Sequence, residues 1–367
     1  MKLKHEPFIE IYNYRRGILL SHIRDPRFLF FLNMKKVIWS FLLLIKIRYI
    51  GETLEAIQKN GAAYFYDEIL KERFHYDEQL VKERLVIERE PASGEFNGKQ
   101  IYSAPPPFSG VTFIQMMKMI ELEEIQPLIG SDSENIKKYL HIVELAYKNR
   151  KQNIGDPSVQ QIDYDELTTD EYVRELMSQS VSSGEKDEEE PVSTTHFSIT
   201  DKDGLTVSAT NTLGQFWGTG EAYKGFFLNN GLDNFNTVKG SLNEYMPYKK
   251  SRSFMAPTII VEDESIMAIG TPGGNRIPQI LSQVLLDYHF TGDLKESITV
   301  PRMTLHNKFI DFESYPEKSL IDELKEVGYT SRVIDLEDHF GGINAIIDTG
   351  DKIIGISDFR RDKEISQ

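Results

Sequence analysis

Three clusters in this sequence have residue types and spacing that can do chemistry. The first is Ser193, Thr194, Thr195 and His196, which follow an acidic, serine-rich stretch and open an alternating segment. A hydroxyl becomes a nucleophile when a base takes its proton. For threonine one such base is the α-amine of the same residue, whose pKa of about 8 leaves a useful neutral fraction at pH 7. That route requires the bond before the threonine to be cut. The same residues also suit an ordinary strand start, because threonine is a β-former. The second cluster is Gly270, Thr271, Pro272, Gly273, Gly274, Asn275 and Arg276, between a predicted strand and a predicted helix. Glycines there expose backbone N–H groups that fit an oxyanion or a phosphate, or simply make a turn. Arg276 can grip a carboxylate bidentately or stand in solvent. The third, Gly218-Thr219-Gly220 with Gly225, lacks the Lys-Ser/Thr of a P-loop and the last glycine of a dinucleotide fingerprint, and reads as a tight loop.

Composition narrows the chemistry. The chain has 367 residues, enough for two domains or one large layered domain. Its 57 acidic against 42 basic residues give a net charge of -15, and no basic stripe offsets it, so no nucleic-acid partner is expected. There is no cysteine, which removes disulfides, thiolate metal sites and cysteine nucleophiles. The eight histidines show no paired spacing, so neither a metal site nor a cofactor is expected. Near the N-terminus, Val37 to Ile45 is the longest charge-free apolar run, short of the roughly 20 residues that span a bilayer, and Met1 to Tyr14 shows no export signal.

These clusters need elements to hold them. From Glu52 to Gln179 the pattern is mainly helical, with Ile136, Leu140, Val143 and Tyr147 on one face behind the capping residues Ser131 and Asp132. A second helix is predicted at Val111 to Glu123, and a short strand at Lys99 to Tyr102, stopped by Pro105-Pro106-Pro107. Ser178 to Glu190 carries almost no apolar weight and reads as an exposed linker. From about residue 193 the period becomes two: Phe197 and Ile199 alternate with polar neighbours, a turn follows at Asp201 to Gly204, and a second strand runs from Leu205 to Thr210. Further strands are predicted at Phe226 to Asn229, Thr258 to Val261, Ile266 to Gly270, Ile343 to Asp348 and Lys352 to Ile356, with helices at Ile277 to Tyr288 and Glu317 to Val327. Strands and helices without strict βαβ alternation favour an α+β layered sandwich.

Read together, six blocks resemble the small subunit of γ-glutamyltransferases. They are Thr194 to Ser198 with Asp201 to Gly204, Phe216 to Gly220, Phe227 to Asn230, Met255 to Thr258 and Pro272 to Arg276, in the family's order. Ser208 to Leu213 and Arg276 to Leu281 are most similar to the branch that depolymerises poly-γ-glutamate capsules and anchors them to the wall. Upstream, Thr53 to Ile57, Arg89-Glu90-Pro91, Tyr102 to Pro107 and Gly155-Asp156-Pro157 resemble the second half of the family's large subunit. Residues 1–49 do not match it, so the chain is expected to be an N-terminally truncated or altered member.

The resemblance implies an N-terminal-nucleophile hydrolase, a four-layer αββα sandwich incomplete at its N-terminus. It implies one precursor that cuts itself between Ser193 and Thr194 into a part of the large subunit, 50–193, and a small subunit, 194–367. Thr194 would be the nucleophile, Thr212 its hydroxyl partner, and Gly273 and Gly274 the oxyanion donors. Arg276, Asn230, Asn234, Ser253, and Arg360 or Arg361 would bind substrate. Gly231 and Asn234 stand where the family carries a longer polar side chain and a frequent Asp. The implied substrates are γ-glutamyl polymers or small peptides, the acceptor is water, an amino acid or a wall peptide, and the implied location is the cell surface, the periplasm or outside the cell. The alternative is a non-catalytic remnant that stays unprocessed or only binds polyglutamate.

Overall fold

The computed structural model describes residues 49–74, 87–161, 163–180 and 193–361. The expectations for the apolar run Val37 to Ile45 and for most of the acidic linker lie outside them. Two compact units divide the chain: residues 1–86 with 222–226, and 87–221 with 227–367. The described part of the smaller unit is helical over 49–60 and 62–73, with a π-helical stretch at Phe65–Leu70. Gly225, at φ +88°, lies so close to this helix that a Cβ would sit 2.1 Å from the Ile50 nitrogen. Thr53 Oγ1 donates to the Lys224 carbonyl at 2.8 Å, Lys224 pairs with Glu72 at 3.0 Å, and Phe65 packs on Phe226.

In the larger unit, strands β1 (Ala92–Phe96) and β2 (Lys99–Ser103) meet at Asn97-Gly98, both with positive φ. An Asn-Gly pair suits this two-residue hairpin, whose twist requires left-handed residues. Hairpin β3 (Ser193–Thr200) and β4 (Thr206–Gly214) follows; the short ribbon β5 (Ala222–Tyr223) and β6 (Phe226–Phe227) belongs, except for Phe227, to the smaller unit. Next come β7 (Thr258–Glu262), β8 (Ser265–Gly270), β9 (Met303–His306), β10 (Phe309–Phe312), β11 (Thr330–Val333), β12 (Asn344–Asp348) and β13 (Ile353–Ser357). A six-stranded antiparallel sheet has the order β1-β2-β7-β8-β12-β13. A separate sheet has the order β11-β10-β9.

Helices α1 (Gly110–Leu122), α2 (Ser133–Asn153), α3 (Asp170–Met177), α4 (Ile277–Thr291), α5 (Leu294–Thr299) and α6 (Lys318–Glu326) complete the unit. The Asp132 carboxylate accepts the Asn135 N–H at 2.9 Å and fixes the start of α2, as its capping chemistry predicts. Helix α1 is buried nearly all round, so it lies inside the core rather than on its rim. It packs on β1, α2 and α4, while the β3–β4 hairpin packs on β8 and β12. Helices, large sheet and hairpin thus stack in the helix–sheet–sheet order of the expected sandwich. Among the described residues no helix is long and apolar enough to cross a membrane.

The β9–β11 sheet was not visible in the sequence pattern, and helix α4 supplies what holds its edge. Gln279 and Gln283, one turn apart, each use the side-chain amide as a surrogate strand. Gln279 donates to the Leu305 carbonyl at 2.9 Å and accepts its N–H at 2.7 Å; Gln283 does the same to Met303 at 2.7 and 3.1 Å. We expect Gln279→Leu to orphan both buried Leu305 groups and cost about 2–4 kcal/mol in urea denaturation. An unchanged midpoint would show that the amide is dispensable.

Candidate active site

Strand β3 presents alternate residues inward: Thr194 is 4% exposed and His196 2%. Phe197 and Ile199 point outward instead, 42% and 53% exposed. The alternation expected from sequence is therefore present with its polar side against the large sheet. Hydroxyls compensate: Ser198 Oγ donates to the Ala268 carbonyl at 3.3 Å and Ser208 Oγ to that of Ile269 at 3.1 Å. Asn344 Nδ2 adds a bond to the His196 carbonyl at 3.1 Å. Polar groups of one sheet satisfy backbone carbonyls of the next, so the interface carries little desolvation cost.

Thr194 lies opposite Thr212 in the hairpin register, and its Oγ1 donates to Thr212 Oγ1 at 3.3 Å. Thr212 Oγ1 in turn accepts the Gly214 N–H at 2.9 Å. Between Ser193 and Thr194 the register shifts, so the ladder is broken at the bond expected to be cut.

The diglycine turn comes to the same end of the sheet. His196 lies over Gly270, so close that a Cβ on the glycine would stand 2.3 Å from Nδ1, and Ser198 lies over Ala268. Each two-residue step back along β3 is thus a step forward along β8, which carries Thr194 beyond Gly270 toward Pro272 and Gly273. Gly273 and Gly274 are buried with φ of +150° and +59°, a backbone that only glycine enters readily. Arg276 follows, with Nε and Nη2 enclosed and without a hydrogen-bond partner among the described residues. Burial pushes its guanidinium below the usual arginine value, against the pull of Asp311 and with Arg361 as a like charge nearby. It is a cation suited to an incoming anion.

The remaining expected binders divide. Arg361 is exposed; its Cγ would lie 2.2 Å from a Cβ on Gly342, whose N–H bonds Thr271 Oγ1 at 3.0 Å, just before the diglycine. Arg360 is 5% exposed and turned inward. Its guanidinium holds Glu313 bidentately at 2.6 and 2.7 Å, Asp358 at 3.0 Å and the carbonyls of Ile298 and Val300. Of the two neighbours, Arg361 is the one open to a ligand, and Arg360 is a structural cation. Asn230 also works for the fold: Oδ1 accepts the Gln215 N–H at 2.7 Å and Nδ2 donates to Asp233 at 2.7 Å. Asn234 accepts a bond from Asn243 through its carbonyl, and Ser253 Oγ accepts the Met255 N–H. The Gly218-Thr219-Gly220 stretch is a tight turn, as read from sequence.

Sequence reasoning missed a cluster beside Arg276. Asp311, 3% exposed, accepts from Arg332 Nε at 2.6 Å and contacts His339 Nε2 at 3.0 Å. Its members are spread over β10, β11 and the turn before β12, and no local spacing signals them. His196 hydrogen-bonds Thr210 at 2.8 Å and Ser198 at 3.1 Å. Burial pushes its imidazole down to about 4, so it is neutral at physiological pH. An unfolded chain, with an ordinary value near 6.5, takes up the proton first. This stabilisation is complete above about pH 6.5 and is lost as pH falls to about 4, by roughly 3 kcal/mol. Denaturation midpoints across that range should fall, and less so in His196→Gln; equal slopes in both would assign the acid sensitivity elsewhere.

A family model described as Gamma-glutamyltranspeptidase matches residues 20–367. The chain is 38% identical over 319 residues to the capsule biosynthesis protein CapD proenzyme of Bacillus anthracis, covering 85% of this chain and 60% of that protein. It is 28% identical over 347 residues to the glutathione hydrolase proenzyme of Escherichia coli strain K12, with the same two coverages. Among solved structures, cephalosporin acylase from Bacillus halodurans aligns with a TM-score of 0.69 at 20% identity, over 84% of this chain and 60% of that one, a likeness of fold alone. The chain spans about 60% of the length of the curated relatives it matches.

Proposed function

The chain belongs to the gamma-glutamyltranspeptidase family and has its N-terminal-nucleophile hydrolase fold, and from that premise we propose that it is a self-cleaving γ-glutamyl hydrolase or transpeptidase acting through an ester on Thr194. Processing begins when Thr194 Oγ attacks the Ser193 carbonyl. The peptide C–N bond breaks as the ester C–O bond forms, and water then releases a Ser193 carboxylate and a free Thr194 amine. That amine is the base of the mature site. It takes the Oγ proton as Oγ attacks the γ-carbonyl, and passes the proton to the leaving amine. The N–H groups of Gly273 and Gly274 hold the oxyanion. Water or an amine acceptor then frees the glutamyl group.

The observation that carries this reading is the 3.3 Å Thr194–Thr212 hydroxyl pair at the sheet end where the diglycine turn begins. Thr212 orients the nucleophile, while Arg276 and Arg361 offer cations to the substrate carboxylates. Asn230, Asn234 and Ser253 act through the loops they brace. Residues 50–193 and 194–367 are the proposed processed segments. The donor is a γ-glutamyl polymer or a glutathione-like peptide, and the acceptor is water, an amino acid or a wall peptide. A capsule polymer as donor would place the protein at the cell surface or in the periplasm.

The test is mass measurement of the purified protein together with turnover of a γ-glutamyl anilide. A fragment beginning at Thr194 and steady release of the amine are expected. Turnover by a chain that remains intact would refute the mechanism.

A further inference from the structure

The turn that follows β4 carries a feature the proposed chemistry leaves unused. Trp217 has φ +90°, a conformation costly for any residue with a Cβ and an outlier for one so bulky. Its ring is not buried in return: it is 39% exposed, and Phe216 beside it is 49% exposed. The two rings meet edge-on at 4.9 Å, and Phe227 supports Trp217 from behind at 4.7 Å.

The strained turn is held firmly. The Gly218 N–H bonds the Gln215 carbonyl at 2.7 Å, and the Gly220 N–H bonds that of Trp217 at 2.9 Å. Gly218 is pressed on the Leu228 carbonyl, where a Cβ would stand at 2.0 Å. At its root, the Gln215 N–H is pinned by Asn230. From there the connection runs through Gly214 and Thr212 to Thr194 Oγ1. Strain kept in place by so many bonds, with the aromatic face left in water, marks a surface built to meet a ligand.

The two flanks of Thr194 differ in chemistry. The β8–β12 flank carries the diglycine turn, Arg276 and Arg361, which suit the anionic glutamyl half. The β4 flank carries Phe216 and Trp217. We propose that Trp217, with Phe216 edge-on to it, is the wall against which the amine half of the substrate packs, making the protein selective for γ-glutamyl amides whose amine bears a flat apolar group. The inference rests on Thr194 being the nucleophile. Because leaving and accepting amines approach the acyl group from the same side, the wall favours flat apolar amines as acceptors as well.

The experiment compares two donors, γ-glutamyl anilide and glutamine, whose leaving group is only ammonia. In Trp217→Gly, which suits the positive φ and should not destabilise the chain, KM for the anilide rises about tenfold while kcat for it and kcat/KM for glutamine stay within about twofold. Trp217→Phe restores most of the anilide affinity. A second readout is independent of rate: tryptophans number two, so in a Trp39→Phe background Trp217 is the only one. Anilide should perturb its fluorescence saturably on rapid mixing, and glutamine should not. Equal effects of Trp217→Gly on both donors, no effect on either, or fluorescence blind to the anilide overturns the proposal. A parent protein that turns over neither donor refutes the role of Thr194 instead, so the two failures are distinguishable.

Discussion

Thr194→Ala yields an uncut chain of 367 residues with γ-glutamyl turnover lowered by at least about 10⁴-fold. The expectation is large because in the proposed mechanism one hydroxyl serves two reactions, the processing step and the catalytic one, and the processing step also makes the base. Neither Thr212, 3.3 Å away, nor the exposed Thr195 next to it acquires an α-amine of its own when the Ser193–Thr194 bond is cut. Thr194→Ser separates the steps, since a serine at the same place keeps the hydroxyl and, once cut, the amine. It should process slowly yet retain measurable turnover. Thr212→Ala should process and turn over more slowly with a modest change in KM, because it loses orientation of the nucleophile rather than the nucleophile itself. Intact mass and anilide turnover check all three, and a Thr194→Ala protein with parental turnover would falsify the assignment.

Asp358→Ala should cost about 3–5 kcal/mol of stability, the largest loss expected from one substitution outside the site. Asp358 is 1% exposed and receives Arg302 Nη2 at 2.6 Å, Arg360 Nη1 at 3.0 Å and the Ile343 N–H at 3.1 Å. Removing it leaves two guanidiniums buried together with Glu313 alone to answer them. Burial pushes the Asp358 carboxyl upward, but the Arg302 and Arg360 guanidiniums outweigh it and hold it below the usual carboxylate range. Its contribution is therefore present above the unfolded value near pH 4 and is lost as pH falls through the depressed one. Chemical denaturation measures the loss. A combined Asp358→Leu and Arg302→Met change should recover part of it, because no isolated charge remains at that pair. Since Arg361 follows this network directly, anilide turnover should weaken in Asp358→Ala even where the chain still folds.

How legible these features were varies with how local they are. Helix α1 was readable to within one residue at each end, α2 by its capped start and apolar face, and α4 at its start though it runs three residues past Tyr288, because apolar spacing and caps lie within a few turns of chain. The strand predicted at Phe226 to Asn229 shortens to Phe226–Phe227, since Asn229 and Asn230 turn away to brace the loop beside β4. In hairpin β1–β2 the sequence shows the strand at Lys99 to Tyr102, whereas Ser93 to Glu95 carries too little apolar alternation to stand out. The sheet of β9, β10 and β11 went unread because its edge is completed by two glutamines on a helix, a solution no strand pattern encodes.

By itself the sequence determined the family, the candidate nucleophile and the positions of most helices. Each of these is written in residues adjacent along the chain, where propensity, capping and motif act over short range. Tertiary structure alone decided which strands are neighbours, so that β2 pairs with β7 across more than half of the larger unit and His196 lies over Gly270 at the end of β8. It also decided which of two consecutive arginines stays exposed and which is buried. Arg360 and Arg361 have the same charge and reach, and their fates differ because Glu313 and Asp358 close around one of them. Pairing and burial depend on what else competes for a partner, and that competition is settled only when distant segments meet.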